Sequence, residues 1–440
     1  MRHAVSRGRL SPAPGEALSQ AHLIVRLRQG RPAAQVEDLI AARFPAATVE
    51  DLFPAARPAV AAASAPEGKP LVALLDYLRI ALPAELDPAQ AAAWLHRLGA
   101  VDSAYQEGQP IAPAGMPAPF LDDADDTAQH YLRPAPLGID AEHAWNVAGG
   151  TGAGAGLIDV EQGWVLNHQD LPPGIPLLTG RNMRYFGHGT AVLGVLAAVD
   201  KGRGVVGIAP GIGRLSVVSQ WMSEQEFCTA RAVFAAALRL QPGDVLLLEA
   251  QTTCRDVSGM PGIFPIEVEP AVQSVIRWAV ARGITVVEAA GNGDQLLDGF
   301  DHPVWGRVLD RPSGAIMVGA ATAGLEHTRI AGSNFGRRVD CYAWGEQVAT
   351  TGDGADGRET DRCTEQFGGT SAASAIVAGA AVVLQGIARA YRGAPLSPAD
   401  LRALFRDPAA GTASARPADD RIGVMPDLKK AVARIACQRS

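Results

Sequence analysis

The stretch FGGTSAASAIVAGAAVVLQ, residues 367–385, determines the expected fold more than any other part of this 440-residue chain. Gly368, Gly369 and Thr370 break a strand and start a helix, and Ser371 falls in its first turn. The residues that follow are apolar almost all round the helix, which is typical of a helix buried inside a domain. Ser371 is therefore either a small residue that allows close packing or a nucleophile at a helix N-terminus, and this stretch alone is compatible with both.

The composition is that of a globular protein. Charged residues make up 19% of the chain and the net charge is −7, which gives no support for nucleic-acid binding, since that needs a basic face. The longest apolar run, residues 374–388, is shorter than the roughly 20 residues that a membrane span needs. Residues 1–20 lack the apolar segment of a secretory signal. We therefore expect a cytoplasmic protein without nucleic-acid or membrane partners, and export by another route stays open.

The cysteines are too few for a disulfide scaffold and lack the spacing of metal ligands. Two sequence pairs, 228 with 254 and 341 with 363, are close enough to permit disulfides, but nothing requires them. We expect reduced, half-buried thiols. The five are Cys228, Cys254, Cys341, Cys363 and Cys437.

The N-terminal quarter predicts a separate small domain. Residues 1–19 are expected to be a disordered lead, and residues 20–108 show the order β-α-β-β-α-β of a ferredoxin-like α+β domain. Asp87 followed by Pro88 is a well-formed helix start. Residues 109–130 are rich in proline and aspartate, which indicates an exposed linker.

From residue 131 to residue 440, short apolar runs alternate with helical stretches. This pattern predicts an α/β domain, with a mostly parallel twisted sheet and helices on both faces. In such sheets catalytic groups gather at the carboxyl ends of the strands. Asp159 and Asn292 end strands, and His188 and Ser371 precede or begin helices. Each has an ordinary structural explanation alone: an acid capping a turn, a packed histidine, a turn-forming Asn-Gly and a small helix residue.

The four residues together have a chemical explanation. A nucleophilic hydroxyl needs a base within hydrogen-bond reach, and that base needs an acid that fixes its tautomer. Acyl transfer also needs a donor aimed at the developing oxyanion, which an amide side chain can supply. Ser371, His188, Asp159 and Asn292 are the residue types that this chemistry requires.

Four motifs give the chain a family resemblance. Over residues 125–390 it resembles the subtilisin-like serine protease family, the subtilases, with Asp, His, Asn and Ser in that order. The resemblance implies that Ser371 is the nucleophile, that His188 is the general base and later the acid, and that Asp159 orients His188. It also implies an oxyanion hole made by Asn292 and the Ser371 backbone N–H. The motifs are LIDVEQGW (157–164), GHGTAVLGVLAA (187–198), VVEAAGNG (286–293) and GTSAASAIVAGAA (369–381).

The resemblance implies a role for residues 20–108 as well. Subtilases commonly carry an N-terminal propeptide that assists folding and inhibits the enzyme until the linker is cut. We therefore expect a serine endopeptidase made as a zymogen, with protein or peptide substrates and its own N-terminal domain as inhibitor. The alternatives are a permanently attached accessory domain, an inactive or permanently inhibited binding module on the same fold, and a serine hydrolase that acts on esters or a transpeptidase.

The chain departs from the family pattern in three of these four motifs. Val160 and Glu161 follow Asp159 where the family usually has Thr or Ser and then Gly, so the hydrogen bonds around the carboxylate are expected to differ. Ala191 and Ala375 replace a common His and Pro. None of these changes removes a catalytic atom.

The largest departure lies in the strand that the resemblance places beside the substrate. The resemblance implies substrate contacts from Glu249, Ala250 and Gln251 and from residues 289–291. A second acid, Glu288, suggests a preference for Lys or Arg at P1, and the alternative is a structural salt bridge to an arginine such as Arg255. The segment 289–291 is Ala289, Ala290 and Gly291. We expect no required cofactor and no metal ligands, and calcium stays unassigned.

Overall fold

The structure is a computed structural model of the full chain. It describes residues 21–62, 71–113, 120–121, 129–255, 261–300, 302, 304–354 and 357–437. The predicted lead at residues 1–19 and most of the predicted linker lie outside the described residues.

The N-terminal region forms a four-stranded antiparallel sheet with helices against it. Its elements are β1 His22–Leu27, α1 Ala33–Arg43, β2 Thr48–Asp51, α2 Ala56–Ala62, β3 Tyr77–Ala81, α3 Pro88–His96 and β4 Val101–Gln106. The strand order is β2-β3-β1-β4, and α1 and α3 pack their apolar side chains on the sheet. The Asp87 carboxylate accepts a hydrogen bond from Ala89 N (2.9 Å), as predicted for the start of α3. The predicted small α+β domain is confirmed.

One apolar run of this domain is extended over only part of its length. Within residues 71–83, residues 73–76 form a 3₁₀ turn and only β3 is extended. Leu74 in the turn is fully buried and belongs to the core of the larger domain. The turn therefore exists because this segment packs against the rest of the molecule and not only in its own sheet.

The rest of the chain builds a large, mostly parallel sheet. The remaining strands are β5 Phe120–Leu121, β6 Gly156–Glu161, β7 Leu177–Thr179, β8 Arg214–Ser219, β9 Val245–Leu248, β10 Gln251–Arg255, β11 Pro261–Pro265, β12 Thr285–Ala289, β13 Ile316–Ala321, β14 Cys341–Trp344, β15 Val348–Thr351, β16 Cys363–Phe367, β17 Gly411–Ala413 and β18 Val424–Pro426. Among the described residues, nine strands form one sheet in the order β17-β18-β14-β13-β12-β9-β6-β8-β7. All neighbours are parallel except β17 with β18. The predicted parallel sheet is confirmed.

Helices cover both faces of this sheet. They are α4 Ala141–Trp145, α5 Phe186–Ala197, α6 Thr229–Arg239, α7 Pro270–Ala281, α8 Gly306–Leu309, α9 Gly369–Arg392, α10 Pro398–Arg406, α11 Pro417–Asp420 and α12 Leu428–Cys437. The long helix α9 crosses β9, β12, β13 and β14 and contacts α5, whereas α6 and α7 contact each other. Strands hidden on both faces need continuous apolar sequence, which β9 (VLLL) illustrates.

Helix α9 is buried along most of its length, from Thr370 to Ala388. By length and composition alone it could cross a membrane, but its most apolar segment is enclosed entirely by the fold. The opening stretch of sequence is therefore a core helix, as its all-round apolar pattern predicts.

The N-terminal domain packs against the outer helices of the large domain. Tyr77 Oη donates a hydrogen bond to Pro270 O (3.0 Å), and Tyr105 Oη accepts one from Ala271 N (3.2 Å). The second contact satisfies a backbone N–H in the first turn of α7, which has no partner within the helix.

Arg79 is the main charged group of this domain contact. It is 1% exposed and donates hydrogen bonds to Glu107 (3.1 Å), Glu226 (2.5 Å) and Phe227 O (2.8 Å). Glu107 belongs to the N-terminal domain and is also buried, while Glu226 and Phe227 precede α6. A buried ion pair of this kind stabilises the arrangement only while both partners are present.

We predict that Arg79→Met weakens the folded protein strongly, because it leaves the Glu107 carboxylate buried without its cation. The expected loss is about 3–5 kcal/mol of unfolding free energy. Chemical denaturation of the Ser371→Ala protein, which excludes self-digestion, measures it. Arg57→Met is the control, because the Arg57–Asp51 pair lies at the surface and its loss is expected to change nothing measurable. Equal effects of the two substitutions would contradict this account of the domain contact.

Candidate active site

Asp159 and Glu161 both lie on β6, and since side chains alternate along a strand they share one face. Glu161 Oε1 contacts His188 Nδ1, and Glu161 Oε2 accepts a hydrogen bond from Gln162 N (3.0 Å). Asp159 Oδ2 instead accepts one from the Trp164 indole N–H (2.8 Å). The prediction that Asp159 orients His188 is therefore wrong for this structure, in which Glu161 holds the imidazole.

The reason is the position of the two acids along the strand. Glu161 is two residues closer to the carboxyl end of β6, where His188 approaches at the start of α5. Asp159 lies further from that end and binds the Trp164 indole N–H. Asp159 is fully buried, and its Oδ1 has no hydrogen-bond partner among the described residues. Burial first, and then the negative charge of Glu161, raise the pKa of Asp159 well above its usual range.

The start of α5 fixes the imidazole. His188 N donates a hydrogen bond to Tyr185 O (2.9 Å), and the ring packs edge-on against Phe367 with 5.5 Å between ring centroids. The neighbouring Gly189 is required, because a Cβ there would lie 2.3 Å from Gly163 O. The glycine therefore lets α5 approach the loop after β6, which carries Trp164.

Asn292 connects the end of β12 to the start of α9. Its Oδ1 accepts hydrogen bonds from Thr370 N (2.9 Å) and Thr370 Oγ1 (3.2 Å). Its Nδ2 therefore points away from the helix and donates a hydrogen bond to Gln251 Oε1 (3.3 Å). Gly369 precedes Thr370 with φ of +78°, a conformation that favours glycine. Asn292 and Ser371 are thus brought to one place, as predicted.

Ser371 lies in the first turn of α9 and is 6% exposed. In the part of the chain that the structure describes, no hydrogen bond joins its hydroxyl to His188. Its ionisable neighbour is Glu249, whose Oε1 accepts a hydrogen bond from Ser374 Oγ (2.6 Å). Burial raises the pKa of Glu249 well above its usual range, the Ser374 hydroxyl lowers it, and the charges of Asp159 and Glu161 raise it further.

A small cavity of about 10 Å³ lies between these groups. Four predicted substrate-contact residues line it, whereas Ala290 and Gly291 do not and instead bond through their backbone to Val318 O and Thr370 Oγ1. Two residues of the predicted linker, Ile111 and Pro113, also line it. The complete lining is Ile111, Pro113, Glu161, Gln162, Glu249, Ala250, Gln251, Ala289, Thr370 and Ser371.

Glu288 does not line this cavity. It neighbours Ala289 on β12, so its side chain points to the opposite face. There its Oε1 accepts a hydrogen bond from Glu267 N (2.9 Å), close to the cation of Arg338. The expectation that Glu288 faces the specificity pocket is wrong, and the cation beside it is Arg338. The predicted alternative partner, Arg255, has a side chain outside the described residues. Of the two acids, only Glu249 lines the cavity, so the predicted preference for Lys or Arg at P1 depends on Glu249 alone.

Sequence reasoning missed Glu161 as a functional residue and treated it as a neighbour of Asp159. The usable signal was the strand period of two, since residues 159 and 161 had to share a face and 161 had to be nearer the catalytic edge. The four cysteines with described side chains carry reduced thiols, as expected, but none is half-buried: Cys228, Cys341 and Cys363 are fully buried and Cys437 is exposed. Within the described ranges, no group of three or more His, Cys, Asp or Glu side chains forms a candidate metal site.

A family model described as the subtilase family matches residues 178–424, more than half of the chain. The chain belongs to the subtilase family. The matched region contains His188, Asn292 and Ser371 and begins after β6. The family makes this subtilase a serine protease by homology, with proteins or peptides as substrates.

Individual relatives of this subtilase are distant. An intracellular serine protease of Paenibacillus polymyxa is 29% identical over 57% of this chain and 72% of its own length. Two solved structures share the fold at lower identity. Fervidolysin from Fervidobacterium pennivorans, a keratinolytic enzyme related to subtilisin, aligns with a TM-score of 0.60 and 16% identity over 96% of this chain and 62% of its own. A protease from Pseudoalteromonas arctica aligns with a TM-score of 0.53 and 20% identity over 71% of this chain and 98% of its own.

We predict that Glu161→Gln lowers kcat for peptide hydrolysis by about 10⁴-fold, because the amide no longer stabilises the imidazolium or fixes its tautomer. Asp159→Asn is the matched control on the same face of the same strand, and its expected effect is less than about tenfold, since Asp159 binds an indole and not the imidazole. Steady-state hydrolysis of a peptide p-nitroanilide measures both. The reverse ranking would restore Asp159 as the orienting acid.

Proposed function

We propose that this subtilase is a serine endopeptidase that works through an acyl-enzyme, with Ser371 as the nucleophile. His188 transfers protons between nucleophile and leaving group, and Glu161 takes the place predicted for Asp159 as the acid that orients His188. The observation that carries this proposal is the contact between Glu161 and His188. It lies at the edge of the sheet where the first turn of α9 carries Ser371. Such an acid, base and nucleophile are the parts that acyl transfer requires.

The oxyanion is stabilised by Asn292 and by the start of α9. Asn292 Oδ1 is engaged by Thr370 and one N–H of its Nδ2 by Gln251, so the second N–H of Nδ2 is the donor proposed for a substrate oxygen. The backbone N–H of Ser371 is among the first of α9, and such groups have no partner within the helix. Both donors are held in place before a substrate binds, which is what makes oxyanion stabilisation effective.

The protein is made as a zymogen whose linker occupies the cleft. Gly108 lies so close to Thr252 on β10 that a Cβ there would overlap Thr252 Oγ1. Pro110 then forms a single antiparallel β-bridge with Thr252, and Gln162 Nε2 donates a hydrogen bond to Ile111 O (2.9 Å). A segment that pairs in this way beside the catalytic serine binds in the manner of a peptide substrate.

The register of this pairing suggests where the linker is cut. Pro110 pairs with Thr252, so an antiparallel continuation places Pro113 opposite Glu249, and Pro113 lines the cavity with Ser371. The peptide bond after Pro113 is then the first one at the nucleophile. The N-terminal domain, held through Arg79 and the first turn of α7, is the intramolecular inhibitor.

We propose that the protein acts inside the cell. This agrees with the name of the Paenibacillus polymyxa relative, an intracellular serine protease. No metal or other cofactor is assigned a role in the proposed chemistry.

A second candidate function is a permanently inhibited binding module on the same fold. The buried contacts of Arg79 favour it, since they hold the N-terminal domain firmly in place. Labelling with a fluorophosphonate probe separates the two candidates. Labelling that is lost in Ser371→Ala supports the protease, and a wild-type protein that stays unlabelled after its linker is cut by an added protease supports the module.

We predict that freshly purified wild-type protein loses its N-terminal 113 residues, or a few more, by cutting itself within the linker. Ser371→Ala removes the nucleophile and is expected to keep the full chain. Intact-mass analysis of the two proteins, purified side by side, measures this. The same truncation in both proteins would mean that another protease made the cut, and two full-length proteins would contradict the zymogen proposal.

A further inference from the structure

Gln162 is a buried glutamine beside the catalytic edge, and the proposed chemistry gives its side chain no role. It directly follows β6 and is 5% exposed. Its Oε1 accepts a hydrogen bond from the Trp221 indole N–H (3.0 Å), and its Nε2 donates one to Ile111 O (2.9 Å). An indole N–H can only donate, so Oε1 has to face Trp221. The amide therefore has one orientation, in which Nε2 faces the linker.

The Trp221 ring is held firmly by its neighbours. The Arg184 guanidinium lies over it, 4.6 Å from the ring centroid, and the Phe227 ring packs edge-on with 5.9 Å between centroids. Trp221 N also donates a hydrogen bond to Ser219 Oγ (3.1 Å). The donor that orients the Gln162 amide is thus fixed before a peptide binds, which lowers the entropic cost of binding.

Gln251 makes a matching contact with the next carbonyl of the linker. Its Oε1 accepts hydrogen bonds from Asn292 N (3.1 Å) and Asn292 Nδ2 (3.3 Å), and its Nε2 donates one to Ala112 O (3.5 Å). Successive carbonyls of an extended chain point in opposite directions, so donors to two of them come from different segments of a protein. The loop after β6 and the start of β10 provide these donors here.

Two residues of the linker in the cleft cannot donate a backbone hydrogen bond. Pro110 and Pro113 have no N–H, which limits how far this segment can pair with β10 as a regular strand. Every residue has a carbonyl oxygen, whatever its side chain. Donors that reach the carbonyls therefore bind an extended peptide of varied sequence, including one that contains proline.

We propose that Gln162 is a substrate-binding residue that donates a hydrogen bond to the carbonyl of the third residue before the cleaved bond. Trp221 is its positioning residue, and Gln251 donates to the carbonyl of the second residue. This inference rests on the proposed function, because a cut after Pro113 makes Ile111 the third residue before it. The substrates expected are extended peptide segments with at least three residues before the cut.

Gln162 also connects a bound peptide to the acid that holds the imidazole. Its backbone N–H donates a hydrogen bond to Glu161 Oε2 (3.0 Å), and Glu161 Oε1 contacts His188 Nδ1. A substitution of the Gln162 side chain leaves this backbone N–H in place. We therefore expect the loss of the side-chain amide to raise KM for a peptide more than it lowers kcat.

A synthetic peptide of residues 108–117, GQPIAPAGMP, tests the proposal when a thioamide replaces one carbonyl. Sulfur accepts hydrogen bonds more weakly than oxygen, so the thioamide at Ile111 is expected to lower kcat/KM by about 3–10-fold, the effect of one hydrogen bond. In Gln162→Met, where no donor remains, the same thioamide is expected to cost less than about twofold. The thioamide at Ala112 is expected to keep its effect in Gln162→Met and to lose it in Gln251→Met.

Each variant is first incubated with immobilised wild-type protein until intact mass shows the same state of the linker in all of them. Mass spectrometry of the peptide products gives both the rate and the bond that is cut. Equal effects of the Ile111 thioamide in wild type and Gln162→Met, or a cut at a bond other than the one after Pro113, would overturn the proposal. A merely structural role of Gln162 would lower the rates for all three peptides by the same factor.

Two further variants complete the test. Gln225→Met is the matched control, because Gln225 is exposed in the loop before α6, and both thioamide effects are expected to stay as in wild type. Trp221→Phe keeps a ring beside Arg184 but removes the N–H that orients Gln162. It is expected to lose part of the Ile111 thioamide effect, and an unchanged effect would overturn the proposal even if Gln162→Met does not fold. A peptide that wild type leaves as intact as Ser371→Ala does would refute the proposed function itself, which is a distinct result.

Discussion

The packing of α9 across the parallel sheet determines where chemistry can occur in this molecule. The helix is buried from Thr370 to Ala388, and a close-packed core does not allow it to slide without opening voids. Its first turn is held at the carboxyl edge of the sheet, because Asn292 at the end of β12 accepts a hydrogen bond from Thr370 N. Ser371, from late in the chain, therefore meets residues that end β6 and β9. The same edge receives the linker, since β10 continues from β9 beyond it.

Three carboxyl groups and one imidazole share this nearly dry edge, and they cannot all be charged. Glu161 contacts His188 and has a partner for its charge, whereas burial raises the pKa values of Asp159 and Glu249 well above the usual range. Both groups keep their protons to higher pH in the folded state than in the unfolded chain. Their contribution to stability therefore falls as pH rises from about 4 toward the raised values. This cost falls at the edge of the sheet that carries the Glu161–His188 contact.

The sequence was sufficient for the architecture, in which Asn292 lies beside the first turn of α9 that carries Ser371. Few other folds bury continuous apolar strands such as β9 on both faces and enclose an all-round apolar helix such as α9. The sequence did not predict which of the two acids, Asp159 or Glu161, contacts His188. That outcome depends on which carboxylate accepts the hydrogen bond from the Trp164 indole, and the position of the loop that carries Trp164 cannot be derived from a strand pattern. Glu288 could have been placed correctly, since its neighbour Ala289 points the opposite way. The linker in the cleft depends on docking of two domains, which local patterns do not contain.

The central claim is that Glu161, and not Asp159, holds His188. The ¹H NMR signal of the proton on His188 Nδ1 tests it most directly, recorded in the full-length Ser371→Ala protein so that self-digestion is excluded. A proton between an imidazole and a carboxylate is strongly deshielded, and we expect this signal to disappear or move far upfield in Glu161→Gln and to persist in Asp159→Asn. A signal that survives Glu161→Gln and is lost in Asp159→Asn would contradict the account.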